Sequence, residues 1–136
     1  MFFKNFFLGI IWGLLVLVLS ILPGNYFPSV SDFWELLSPD KLIHLFLFGI
    51  LSFLILIGFR KQYNHEKLRL KSQIYAIVIG IVYGSFTELL QLFIDNGRHA
   101  SYYDFIADLL GCILGLIAFN QFFNKKSKKV ETYLEK

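Results

Sequence analysis

The sequence predicts an all-α fold, an integral membrane bundle of four transmembrane helices with both termini on the cytoplasmic side. Three observations carry this. Hydrophobic residues make up 56% of the 136-residue chain and mean hydropathy is +0.59, more than a soluble domain of that length can bury. They fall in four long runs, each near the ~20 residues that cross a bilayer as a helix. Charged residues, 17% of the chain against about a quarter in soluble domains, sit mainly between and after the runs. A chain this short is one domain, here a single membrane domain followed by a basic cytoplasmic tail over 124–136.

The first span covers about 6–22. It is apolar almost throughout, and the competing reading is a signal peptide with Lys4 as its positive end. Ser20-Ile21-Leu22-Pro23 offers no small-residue cleavage site, which favours an uncleaved span. Asn5, Gly9, Gly13 and Ser20 share one face, a small-residue stripe that lets another helix come close. Pro23-Gly24 ends the span, and the loop beyond it carries Tyr26, Phe27, Phe33 and Trp34, aromatics suited to the membrane interface. Ser31 to Leu37 reads as a short interfacial helix with Phe33, Trp34 and Leu37 dipping into lipid.

The second span covers about 40–59. Ser38-Pro39-Asp40 is a helix start, with Ser38 as N-cap, Pro39 in the first turn and Asp40 facing the positive helix end. Lys41 opposes that dipole and so requires another partner. It shares a face with His44, Phe48 and Ser52. The connector from Arg60 to Lys71 holds five Lys or Arg against one Glu. The third span, about 72–94, places Gly84, Ser85, Glu88 and Gln91 on one face, and Asp95-Asn96-Gly97 reads as its end and turn.

The fourth span covers about 102–123. Ser101-Tyr102-Tyr103-Asp104 matches a capping box, so Asp104 has a structural reading beside a functional one. Ser101, Asp104, Asp108, Gly111, Cys112 and Gly115 fall along one stripe, and Gly111 with Gly115 makes a G-x-x-x-G pair suited to close helix contact. Cys112 is the lone cysteine, which excludes an intrachain disulfide and leaves a small packing residue.

Orientation follows from the basic residues. Lys4, the five in the middle connector and four clustered after the last span outweigh Lys41 and Arg98 on the other side, which predicts cytoplasmic termini. The net charge of +3 is thus a topology signal. Basic clusters without stacking motifs or a soluble fold exclude a nucleic-acid partner, and the partner in view is membrane lipid.

Helix phase and orientation together gather polar residues on the outward side. At about 1.5 Å rise per residue, His44, Glu88 and Asp108 each lie roughly 6 to 10 Å below the outer ends of their helices. Charges at the centre of a span cost about 2.5 to 3.5 kcal/mol each on insertion scales, so clustered or hydrated charges are favoured over dispersed ones. The predicted binding set is Lys41, His44, Glu88, Gln91, Arg98, Asp104 and Asp108, with Glu88, His44 and Asp108 as candidates for any catalytic role. Lys41 and Arg98 do not balance Asp40, Glu88, Asp104 and Asp108. A carboxyl group is therefore protonated, or His44 is charged, or the site receives a cation or a cationic ligand group.

These residues resemble the VanZ-like family of small bacterial membrane proteins. Asp40-Lys41-Leu42-Ile43-His44, followed by Phe46 to Gly49, is similar to that family's D-K-x-x-H segment, and Glu88-Leu89-Leu90-Gln91, Arg98, Ser101, Asp104, Asp108 and Gly111 follow its E-x-x-Q, R, S, D and small-residue series. Asp108 stands where an asparagine is the family's expected residue. The resemblance covers about Lys41 to Gly115. It implies a multi-pass protein of the bacterial inner membrane with a role at the cell envelope, since the namesake is associated with low-level resistance to the glycopeptide teicoplanin.

Three functions compete at this stage. The first is an outward polar pocket that binds a cell-wall precursor or other lipid-linked group, with Arg98 and Lys41 on phosphate or carboxylate. The second is a membrane enzyme using Glu88 or Asp108 as base and His44 as acid. The third is a structural or assembly role in which charges fix helix register. No cofactor is expected. A metal variant of the second would use His44, Glu88 and Asp108, whose spacing is not that of a diagnostic metal motif.

Overall fold

The computed structural model of the chain describes residues 2–22, 39–62, 66–94 and 102–134, with side chains described over 3–22, 39–62, 71–94 and 102–123. The described residues form four helices, α1 (Phe2–Ile21), α2 (Pro39–Gln62), α3 (Glu66–Phe93) and α4 (Tyr102–Leu134), and no strand. All four are long and apolar enough to cross a membrane. The expected interfacial helix over Ser31 to Leu37 lies outside the described residues.

Local chemistry explains where these helices start and stop. α2 opens on Pro39, whose missing N–H is harmless in a first turn, with Asp40 at the positive end and Arg60 and Lys61 at the negative end. α2 and α3 extend further than the apolar runs alone require, so the basic connector is mostly helix and only 63–65 separates the two. Lys, Arg, Glu and Gln are good helix formers and carry the backbone hydrogen bonds past the apolar boundary. α4 likewise continues to Leu134, through the basic segment that follows the last span.

Pairs of contacting residues give the helix directions. Asn5 Nδ2 donates to Gln62 Oε1 at 2.8 Å and Trp12 Nε1 to the Leu47 carbonyl at 2.9 Å, so α1 and α2 run antiparallel. Tyr83 donates to the Gly13 carbonyl at 2.6 Å and Gln91 Nε2 to the Ser20 carbonyl at 3.1 Å, so α1 and α3 run parallel. Gln73 Nε2 donates to Asn120 Oδ1 at 2.9 Å, at the other end of α3 and α4 from the charged residues. Phe6, Val16, Phe48, Leu51, Leu56, Ala76, Cys112 and Phe119 belong to the core, while the outer faces present large apolar side chains such as Phe7, Phe46, Val82 and Ile117. Exposed apolar residues all round the bundle are what a lipid-bathed surface requires.

The closest approach is between α2 and α4, which run parallel. A Cβ added to Gly111 would collide with the Leu45 carbonyl oxygen, and one added to Gly115 with the Gly49 carbonyl oxygen. Gly49 itself faces Gly111, with its Cβ position 3.3 Å from the Gly111 oxygen. The expected G-x-x-x-G pair therefore has a defined partner surface, and only hydrogen atoms fit between the two backbones. α3 meets α4 through two further glycines. A Cβ on Gly80 would collide with Cys112 Sγ, and one on Gly84 would lie 3.0 Å from Asp108 Oδ2.

Candidate functional site

The tight α2–α4 contact positions a polar cluster within the first two turns of α2 and α4. Because the helices run parallel with glycines at their crossing, side chains at matching heights on the preceding turns meet. Lys41 Nζ lies 3.5 Å from Asp104 Oδ1, and one turn deeper His44 Nδ1 lies 2.9 Å from Asp108 Oδ1. The first is an ion pair longer than the ~2.7–3.2 Å of a good hydrogen bond, and the second is a well-formed hydrogen bond. All four side chains are buried. Lys41 thus finds the partner that its dipole-opposing position requires, and the Tyr103 ring lies 6.0 Å from its ammonium.

Glu88 reaches the same cluster from α3. His44, Glu88 and Asp108 each offer a ligand-type atom, and these atoms all lie within 4.8 Å of one another. Asp40, His44 and Asp104 form a second such group, with His44 common to both. Asp40 had only a helix-start reading in the sequence, although its i, i+4 spacing to His44 places both on one face and was the available signal. Phe48, one turn below His44, is fully buried and packs toward Tyr83 with ring centroids 6.2 Å apart, closing the cluster on its inner side.

The charge balance is uneven. Glu88, Asp104 and Asp108 are three buried carboxyl groups, with Lys41 and His44 the buried basic groups beside them. The Oδ2 atom of Asp108 is buried and has no hydrogen-bond partner among the described residues. Glycine at position 84 is what leaves room for that oxygen, since any side chain there would crowd it. A buried carboxylate oxygen without a donor is costly in a low-dielectric interior, so the arrangement suits a ligand or ion that supplies positive charge or donors.

The predicted binding residues divide accordingly. Lys41, His44, Glu88, Asp104 and Asp108 come together. Gln91, a turn beyond Glu88, turns to α1 and holds the Ser20 carbonyl. Arg98, and Ser101 of the capping box, lie outside the described residues. An apolar cavity of ≈ 330 Å³ between α1, α2 and α3, lined by residues including Gly9, Gly13, Leu51 and Tyr83, is separate from the cluster. Its one ionisable group, the Tyr83 hydroxyl, donates to the Gly13 carbonyl, and the rest of its lining is apolar.

A protein-family model described as VanZ/LLP1 matches residues 5–124 of the chain. No curated protein and no solved structure matches it.

Proposed function

The chain belongs to the VanZ/LLP1 family, and on that premise we propose that it works in the inner membrane at the bacterial cell envelope, binding a cell-wall precursor or other lipid-linked group in an outward-facing polar site and so altering susceptibility to teicoplanin-type glycopeptides. The observation that carries this reading is the buried cluster of Lys41, His44, Glu88, Asp104 and Asp108, contributed by three helices near the ends that include Pro39, Phe93 and Tyr102. The basic connector and tail at the opposite ends support an outward orientation of the cluster. Lys41, with Arg98 as the second cation that the sequence offers, supplies cationic groups for phosphate or carboxylate. His44, Glu88 and Asp108 supply acceptors and an imidazole for the remainder of the headgroup.

The His44–Asp108 hydrogen bond favours a second reading, a membrane enzyme acting on a lipid-linked substrate. A carboxylate on one ring nitrogen fixes the imidazole's orientation and leaves the other to move a proton, with Glu88 as the second carboxyl group. A purely structural role is less well supported, because the backbone contacts at Gly49, Gly111 and Gly115 already hold α2 and α4 in register without any charge.

Complementation of a glycopeptide-sensitive strain tests the first reading. Glu88→Gln keeps shape and removes charge, and it is expected to accumulate in the membrane at wild-type level while losing the susceptibility change. Full activity at equal abundance removes Glu88 from the site. Turnover of a lipid-linked substrate by purified protein, lost in His44→Gln, would favour the enzyme instead.

A further inference from the structure

The geometry points to a divalent-cation site formed by His44, Glu88 and Asp108, which takes Zn2+ or Mn2+ and leaves a coordination position open for an oxygen of an anionic ligand. This rests on the reading of the polar cluster as a ligand site and not on any glycopeptide phenotype. Three features support it together. The three side chains come from α2, α3 and α4, and their ligand atoms lie within 4.8 Å of one another. Metal bonds of about 2.0–2.2 Å in tetrahedral geometry set donor separations at ~3.3–3.6 Å, a spacing that side-chain rotation brings these donors to. Asp108 is only 2% exposed, yet its Oδ2 has no hydrogen-bond partner among the described residues. That oxygen points to the α3 side, beside the space that Gly84 leaves and one turn from Glu88.

The donor set decides the ion class. One imidazole and two carboxylates form a mixed nitrogen and oxygen set, which suits Zn2+ or Mn2+ better than the all-oxygen shells of Ca2+ and Mg2+ or the thiolate sites of soft ions. A dication also matches the charge of two ionised carboxylates beside a neutral imidazole, removing the penalty of burying them apart from water. Three protein ligands leave a position open, as catalytic rather than structural zinc sites do. Lys41 and Asp104 lie one turn nearer the helix starts and border the approach.

The test uses full-length protein purified in mild detergent, stripped with a chelator and then titrated separately with Zn2+ and Mn2+. Bound ion is measured after desalting by elemental analysis and fold by circular dichroism and thermal unfolding. Wild type is expected to retain about one ion per chain and to unfold at higher temperature with it. Asp108→Asn and Glu88→Gln are expected to keep their helical content but lose at least ~100-fold in affinity, beyond the range for second-shell changes. Gln73→Ala, at the other end of α3 where Gln73 holds Asn120, is expected to bind as wild type does. A folded wild type that retains neither ion overturns the inference, as does wild-type affinity in Asp108→Asn and Glu88→Gln. If no ion binds but Glu88→Gln still abolishes the envelope phenotype, the cation falls and the polar-site function stands.

Discussion

Replacing Gly111 by alanine should open the polar cluster from below. The added Cβ would collide with the Leu45 carbonyl oxygen and lie 3.1 Å from the Gly49 nitrogen and the Leu45 carbonyl carbon, all backbone atoms. No rotamer relieves such a contact, and comfortable carbon contacts need about 3.5–4.0 Å, so α2 and α4 must separate by roughly 1 Å at that point. Gly111 is three residues from Asp108, and Leu45 is next to His44. A shift of that size stretches the 2.9 Å His44–Asp108 hydrogen bond past the ~3.2 Å limit of good geometry. Overpacking costs about 1–3 kcal/mol. Gly9→Ala is the control, because a Cβ there meets its nearest neighbours, Ile55 Cγ1 and Ile55 N, at 3.8 Å, an ordinary contact. Equilibrium unfolding in detergent should show Gly111→Ala destabilised by that amount and Gly9→Ala within ~0.5 kcal/mol of wild type. Equal stability of the two variants would refute the argument that glycine contacts place the site.

Two further outcomes follow from the same contacts. Gly80→Ala, whose Cβ would collide with Cys112 Sγ, should cost about 1 kcal/mol or more in the wild-type background but be tolerated with Cys112→Ala, and a double-mutant cycle on unfolding midpoints checks that rescue. Lys41→Met strands the buried Asp104 carboxylate and should cost up to about 3–5 kcal/mol, less where water reaches the pair, whereas Lys41→Met with Asp104→Asn should recover most of the loss in the same assay.

The four spans were legible because hydrophobic runs of membrane length are a strong signal and lipid forces backbone hydrogen bonds to close within each helix. The gathering of His44, Glu88 and Asp108 was legible too, since helix phase and equal depth can be computed from residue number alone. Pairing was not. Lys41 with Asp104, and Gly49 against Gly111 and Gly115, depend on which helices are neighbours and on α2 and α4 running parallel, and a period read within one helix carries neither fact. Gln91 makes the same point, for it lies on the Glu88 side of α3 yet reaches across to Ser20 of α1. Helix lengths were underread for a different reason. Hydropathy stops at the lipid boundary, whereas helix propensity in Arg60, Lys61 and Glu66 does not.

The account depends most on the polar cluster facing outward, and cysteine labelling in whole cells tests that directly. In a Cys112→Ala background, Ser29→Cys lies in the sequence that joins α1 to α2, and Lys61→Cys lies near the last residue of α2, where Lys61 is exposed. An impermeant maleimide is predicted to label Ser29→Cys in intact cells and Lys61→Cys only after the membrane is permeabilised. Labelling of Lys61→Cys in intact cells with Ser29→Cys protected would contradict the orientation and, with it, an outward-facing site.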